Sequence, residues 1–159
     1  MGVNNLDTAE NFKNIKENDL KENYRITIKD KHYIAGEKAE STTQVFGDLI
    51  LSDDGYTISY TEHAGEFAGC VTNIKVTNEP STLYLSRAGS FATDLLLEPK
   101  RRHSCHYDTP FGSVLMGVYA YKIDSNMKSS GGDLDFAYCL DIDGGAVSEN
   151  ELQINVKKC

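Results

Sequence analysis

The chain has 159 residues, enough for one domain that buries most of its apolar surface around a single core. It carries 24 acidic against 16 basic residues, a formal net charge of -8, so its average surface repels nucleic-acid phosphates and anionic lipids. This balance predicts a protein with neither a nucleic-acid nor a membrane partner. The first residues also lack a secretory signal, and no apolar run reaches membrane-spanning length.

Four cysteines stand at positions 70, 105, 139 and 159, and no two of them form a C-x-x-C pair. Such wide spacing argues against a zinc knuckle and against a dithiol redox motif. We therefore expect free thiols in a reducing cytoplasm, with no metal and no cofactor.

The N-terminal 22 residues are polar, with a few apolar side chains spaced loosely along one helical face. These side chains are Leu6, Ala9, Phe12, Ile15 and Leu20. The spacing predicts a tail or a short helix over residues 1–22. The remaining residues, 23–159, are expected to form one domain, because they contain no linker and no repeat.

From residue 24 onward, apolar and polar residues alternate, and the breaks carry Gly, Asp, Asn and Pro. The pattern predicts strands near 24–34, 38–46, 47–52, 56–62, 71–77, 82–87, 101–109, 113–123 and 134–142, followed by a last strand to the C-terminus. Nine or ten strands joined by hairpin-length connections favour an antiparallel up-and-down meander. A meander of this length tends to close into a barrel, because closure removes its exposed edges.

The run 134–142 has the cleanest alternation in the chain. One set of positions is apolar: Leu134, Phe136, Tyr138, Leu140 and Ile142. The other set carries Asp133, Asp135, Asp141 and Asp143. Because side chains alternate across a strand, we expect the first set in the core and the second in solvent.

Two charged residues end apolar stripes. Arg87 follows Leu83 and Leu85 at the same parity, and Glu62 follows Ile58 and Tyr60. A buried charge is tolerated only when it is paired, so we hypothesise that Glu62 and Arg87 meet inside the barrel or at its rim. The alternative is that each emerges into solvent where its strand ends.

Titratable residues concentrate in the stretch 101–112. Strand parity places Arg101, His103, Cys105 and Tyr107 on one face, away from His106. Neighbouring residues therefore cannot act together, and same-face neighbours such as His103 and Cys105 lie roughly 7 Å apart. This geometry disfavours a nucleophile–base pair, and a metal site would need a third ligand that the sequence does not supply. The basic run at 100–102 is typical of a solvated strand start.

Four short segments occur in a characteristic order. They are Ile58-Ser59-Tyr60-Thr61-Glu62, Val71-Thr72-Asn73-Ile74-Lys75-Val76, Ser86-Arg87-Ala88-Gly89 and Tyr107-Asp108-Thr109-Pro110-Phe111-Gly112. With their order and spacing, the chain resembles the YwiB-like bacterial family of unknown function, the DUF1934 type, over roughly residues 24 to 157. The resemblance implies a calycin-like or lipocalin-like barrel in a cytoplasmic protein, and it supplies no catalytic residues.

The interpretation we favour is a non-enzymatic barrel that binds a small apolar or carboxylate-bearing molecule. The residues we expect to anchor the ligand are Tyr60, Glu62, Arg87, His103 and Tyr107. One alternative is an enzyme that uses His103 on the barrel interior as acid or base. Another is a packed barrel that binds a protein partner, with the basic run at 100–102 as an unpaired patch on an acidic surface.

Overall fold

The structure, a computed structural model, describes residues 20–65, 67–89, 93–109 and 112–159, with the backbone alone at 107–109. Ten strands follow one another along the chain. They are β1 (Tyr24–Ile34), β2 (Glu37–Ser52), β3 (Gly55–Thr61), β4 (Val71–Asn78), β5 (Ser81–Ala88), β6 (Thr93–Leu97), β7 (Arg102–Thr109), β8 (Gly112–Lys128), β9 (Gly131–Ile142) and β10 (Gly145–Lys158).

Each strand pairs antiparallel with the strands before and after it in sequence, and β1 also pairs with β10. The ten strands therefore form a closed barrel, which confirms the predicted all-β, up-and-down architecture. None of the described residues forms a helix, so this part of the chain offers no helix long and apolar enough to cross a membrane.

Of the neighbouring strands in the barrel, β6 and β7 pair over the fewest residues. These strands share a single ladder pair, Thr93 with Tyr107, and the segment that joins them adds a bridge between Glu98 and Arg101. The connection between them instead folds across to β8, where the Lys100 N–H donates to the Ala120 carbonyl at 2.8 Å. Closure at this seam thus rests partly on a neighbour that is not next in the strand order.

The number of strands agrees with the prediction, but two strands were assigned differently, and others extend past the predicted bounds, as β8 does to Lys128. The runs predicted at 38–46 and 47–52 are one strand, β2, because Gly47 continues the ladder instead of breaking it. A Cβ at Gly47 would lie 2.3 Å from the Ser59 carbonyl oxygen, so glycine serves the close packing of β2 on β3. Strand β6 was not predicted, because Leu95-Leu96-Leu97 hides its alternation.

Apolar side chains fill the barrel interior. Phe136, Ile26, Ile58 and Leu83 are fully buried, and Tyr138 and Leu140 pack with them. The predicted inward face of β9 is correct except at Ile142, which is 41% exposed. Ile142 pairs with Gly145 beside the β9–β10 turn, where the strand has passed the end of the core.

The predicted tail or helix over residues 1–22 lies almost wholly outside the described residues. Only residues 20–22 of that range are described, and they carry no regular secondary structure. The Lys21 N–H donates to Asp48 Oδ2 on β2 at 2.7 Å. The barrel begins at Tyr24, one residue after the predicted boundary.

Candidate functional site

A layer of polar side chains lies across four adjacent strands at one end of the barrel. In the ladder, Tyr60 faces Thr72, Thr72 faces Arg87, and Arg87 faces Thr93. We call these four residues, together with Glu62, the Arg87 cluster. The next layer inward is apolar: Ile58, Ile74, Leu85 and Leu95 occupy the same four strands. The cluster therefore covers one end of the hydrophobic core.

The predicted contact between Glu62 and Arg87 is present. Arg87 Nε lies 3.7 Å from Glu62 Oε1, and both side chains are less than one-fifth exposed. The Thr72 hydroxyl donates to the same carboxylate oxygen at 3.1 Å. The pair meets at the rim, as strand parity suggested. Its separation is that of an ion pair and is too long for a good hydrogen bond.

Phe67 lies over Arg87 from the loop that joins β3 to β4. The guanidinium carbon is 4.2 Å from the centre of the ring, within the range of a cation–π contact. The loop is tied at its base, where the Glu62 N–H donates to the Cys70 carbonyl at 2.9 Å and the Gly69 N–H donates to the Glu62 carbonyl at 2.8 Å. Arg87 is thus held between a carboxylate and an aromatic ring.

Two buried polar atoms of the cluster have no hydrogen-bond partner among the described residues: Arg87 Nε and the Thr93 hydroxyl. Thr93 is 1% exposed, so solvent does not reach it readily. Burial also raises the pKa of Tyr60, with a further contribution from the Glu62 charge, which keeps its hydroxyl neutral. Unpartnered buried polar groups are uncommon in folded proteins and call for an explanation.

Of the five predicted anchors, the structure brings Tyr60, Glu62 and Arg87 together. The backbone of Tyr107 stands opposite Thr93, at the level of the cluster, and its side chain is outside the described set. His103 lies four residues earlier on β7, roughly 13 Å away along the strand. Its Nε2 is 3.3 Å from Glu98 Oε1, whose other oxygen accepts a hydrogen bond from Arg101. His103 therefore belongs to a different part of the barrel.

The other candidate nucleophile on β7, Cys105, is not activated in this structure. Cys105 is buried, and burial raises the pKa of its thiol, which keeps the sulfur protonated and weakly nucleophilic. Within the described ranges, no three side chains of His, Cys, Asp or Glu come together in a way that could hold a metal ion.

The sequence interpretation missed the pairing of Arg102 with Asp141. Asp141 is on the polar face of β9, as predicted, but it is buried rather than solvated. It accepts hydrogen bonds from Arg102 Nε at 3.0 Å and from Nη2 at 2.6 Å. Since Arg101 also pairs with Glu98, the idea of an unpaired basic patch at 100–102 is wrong for two of its three residues.

The opposite end of the barrel is bridged by a hydrogen bond between Tyr56 on β3 and Ser125 on β8, whose oxygens are 2.6 Å apart. These strands lie on opposite sides of the ring. Above the bridge is a cavity of about 360 Å³, which we call the Tyr56 mouth. Leu51, Asn78, Asn126, Met127 and Lys128 are among the residues that line it.

One solved structure has the same fold as this chain. The crystal structure of the ywiB protein from Bacillus subtilis superposes with a TM-score of 0.75 at 16% sequence identity, covering 89% of this chain and 96% of that one. At this identity the likeness concerns the fold. No curated protein sequence matches the chain.

A family model described as a domain of unknown function, DUF1934, matches residues 26–154. The match runs from β1 to β10 and includes the whole Arg87 cluster. It agrees with the resemblance that the ordered segments suggested. The chain belongs to the DUF1934 family.

Proposed function

We propose that the protein is a non-enzymatic binding module for a small carboxylate-bearing molecule, which it holds at the Arg87 cluster. One observation carries the proposal: a guanidinium N–H and a threonine hydroxyl are buried side by side on neighbouring strands without hydrogen-bond partners among the described residues. A carboxylate placed there would accept from both.

Arg87 suits this ligand for physical reasons. A guanidinium presents parallel N–H donors in a planar fork that matches a carboxylate, and such charge-assisted pairs are stronger than neutral hydrogen bonds. The present partner, Glu62, contacts Arg87 Nε at 3.7 Å, which leaves the donor unsatisfied. A ligand carboxylate at normal hydrogen-bonding distance would be a better acceptor, with Glu62 neutralising Arg87 when no ligand is bound.

Ligand entry needs the β3–β4 loop to move, because Phe67 lies on the guanidinium. The apolar part of the ligand would then take the place of this ring. The interior below the cluster is filled by Ile58, Ile74 and Leu85, so the ligand sits at the rim and does not extend along the barrel axis. This favours a short or flat molecule over a long acyl chain.

We further propose a calycin-like classification and a cytoplasmic location. The closed up-and-down strand order supports the first, although fold by itself does not fix function. The second is supported by four free cysteines, two of them buried, none of which pairs in a disulfide.

Binding can be tested by isothermal titration calorimetry with a panel of short aliphatic and aromatic carboxylates, each matched to its amide. We expect carboxylates to bind and amides not to bind. Arg87→Lys, which keeps the charge and loses the fork, should weaken binding at least tenfold, since about 1.4 kcal/mol corresponds to that factor. Arg25→Lys, at an exposed arginine of β1, is the matched control. Equal affinity of Arg87→Lys and wild type would refute this site.

The Tyr56 mouth is a second place for the same ligand class, because two of its lining residues present donor groups that could bind an anion. The side-chain oxygen of Asn126 already accepts a hydrogen bond from the Asp133 N–H, and the Ser52 hydroxyl already donates one to Asp54. What remains includes the Lys128 ammonium and the Asn126 amide N–H groups, which suit an anion. If Lys128→Met abolishes carboxylate binding and Arg87→Lys does not, the ligand binds at this mouth.

The two alternatives have weaker support. An enzyme that used His103 would have Glu98 beside the imidazole but a protonated, buried thiol at Cys105. A pH–rate profile that His103→Gln leaves unchanged would exclude a role for His103 in any activity found. A protein-interaction module centred on the basic run would have to compete with the ion pairs of Arg101 and Arg102.

A further inference from the structure

The outer wall of the barrel carries a cleft of about 190 Å³ between two exposed tyrosines. Tyr33 on β1 is 43% exposed and Tyr121 on β8 is 50% exposed. Ala137, Glu149 and Glu151, on the two strands between them, also line the cleft. Lys31 and Asn150 complete the lining, and we call these seven residues the tyrosine cleft. Its volume is that of a single side chain or a small molecule.

Two local features shape the cleft. Ala137 on β9 presents only a methyl group between larger neighbours. Tyr121 lies at a bulge of β8, where the pairing with β9 shifts between Ala120 and Lys122, and a bulge redirects the side chain. The neighbouring Cys139 thiol raises the pKa of Tyr121 to about 12. The Tyr121 hydroxyl is therefore neutral at physiological pH.

The charge of the cleft is negative. Glu149 and Glu151 have no ion-pair partner among the residues that the structure describes. Lys31 also lines the cleft, but its ammonium is 4.0 Å from Glu40, which binds Lys38 as well at 2.7 Å. Glu149 and Glu151 therefore add negative charge beside two electron-rich rings in a protein whose net charge is already -8.

We propose that the tyrosine cleft binds an organic cation, either a free amine or quaternary ammonium or the basic side chain of a partner. A cation between tyrosine rings gains cation–π attraction, and nearby carboxylates add a Coulomb contribution. The acidic surface steers cations toward such a site. This goes beyond the proposed function, because the site is on the outer wall and selects the opposite charge.

The test is an NMR titration that follows the ring signals of Tyr33 and Tyr121. The probes are choline, its neutral isostere 3,3-dimethylbutan-1-ol, and a blocked peptide of alternating arginine and glycine. We expect the cations to shift both rings and the neutral isostere not to shift them. Binding of choline would indicate a free organic cation. Binding of the peptide alone would indicate a basic side chain on a protein.

Four variants complete the test. Ala137→Leu fills the cleft and should abolish binding, whereas Ala88→Leu, at an exposed alanine on β5, should not change it. Tyr121→Leu should weaken binding about tenfold through loss of the ring, and Tyr121→Phe, which keeps the ring, should bind like wild type. If Ala137→Leu fails to fold, the comparison of Tyr121→Leu with Tyr121→Phe still shows whether the ring contributes to binding.

Three results would each overturn the proposal. One is that neither cation shifts the two rings up to about 10 mM, a concentration well above the millimolar Kd of a weak site. Another is equal binding of the neutral isostere. The third is equal affinity of Tyr121→Leu and Tyr121→Phe. Because the carboxylate titration reports on the barrel ends, its failure would leave this result unaffected.

Discussion

Arg102 on β7 reaches Asp141 on β9 by crossing the outer face of β8, the strand between them. It crosses at Gly117, which faces Asp141 in the ladder. A Cβ at Gly117 would lie 2.2 Å from Arg102 Nη2. The absence of a side chain at this position therefore makes the ion pair sterically feasible.

We predict that Gly117→Ala displaces the Arg102 guanidinium and lowers the melting temperature by a few degrees, because the new methyl group and the side chain cannot share this space. Thermal unfolding followed by circular dichroism measures the loss. Gly144→Ala is unsuitable as a control, because Gly144 has a positive φ of 82°. Gly117→Ala combined with Arg102→Ala is the better comparison. If the alanine costs as much without Arg102 as with it, the steric explanation is wrong.

Asp141 should make stability depend on acid pH. Its hydrogen bonds to Arg102 lower the pKa of its carboxyl, with a smaller contribution from the Gly144 N–H. A lowered folded-state pKa stabilises the protein above the unfolded value of about 3.9, and this gain is lost as the pH falls through the folded-state pKa. We expect Asp141→Asn to remove that part of the acid dependence, as measured by urea unfolding between neutral pH and about pH 3. If the free energy of unfolding of Asp141→Asn falls with decreasing pH as steeply as that of wild type, this prediction is wrong.

Glu62 and Arg87 should be energetically coupled. We expect a double-mutant cycle with Glu62→Gln and Arg87→Met to give a coupling of about 1 kcal/mol, because each single change leaves a charge unpaired at a site that is mostly shielded from water. Urea unfolding supplies the four free energies. Additive losses, within about 0.3 kcal/mol, would show that the two residues are neighbours without net attraction.

The barrel should lose stability in alkali through Tyr56. Burial raises the pKa of Tyr56 to about 12, against about 10 for an exposed tyrosine. A raised folded-state pKa stabilises the protein below pH 10, and this stability is lost as the pH rises through the folded-state value. We expect Tyr56→Phe to unfold at higher pH than wild type, although at pH 7 it should cost about 1 kcal/mol through loss of the Ser125 hydrogen bond. Absorbance titration at 295 nm would follow ionisation.

The strand pattern was readable from the sequence because side-chain alternation reports burial directly. On β9, Leu134, Phe136 and Tyr138 proved to be core residues, and the partners Glu62 and Arg87 were found because each ends an apolar stripe. Alternation does not report register between strands. That is why Thr72 and Thr93 were missed as members of the Arg87 cluster, and why His103 was grouped with residues that lie roughly 13 Å away.

The cross-strand pair of Arg102 with Asp141 was hidden for a related reason. Both residues have outward parity, and an outward charge is usually solvated. Only the register, which sets Arg102 opposite Tyr119 and Asp141 opposite Gly117, two residues away on the same strand, shows that they can meet. A glycine within an otherwise regular strand was the available signal, since such a glycine often marks a close approach of another group.

The pairing of β1 with both β2 and β10 has a consequence for synthesis on the ribosome. Strand β1 can form its hairpin with β2 early, but its second edge must wait for β10, more than 100 residues later in the chain. During that interval the free edge could pair with another chain. The charges of Lys29, Asp30 and Lys31 on that edge are therefore expected to protect the nascent barrel until the last strand closes it.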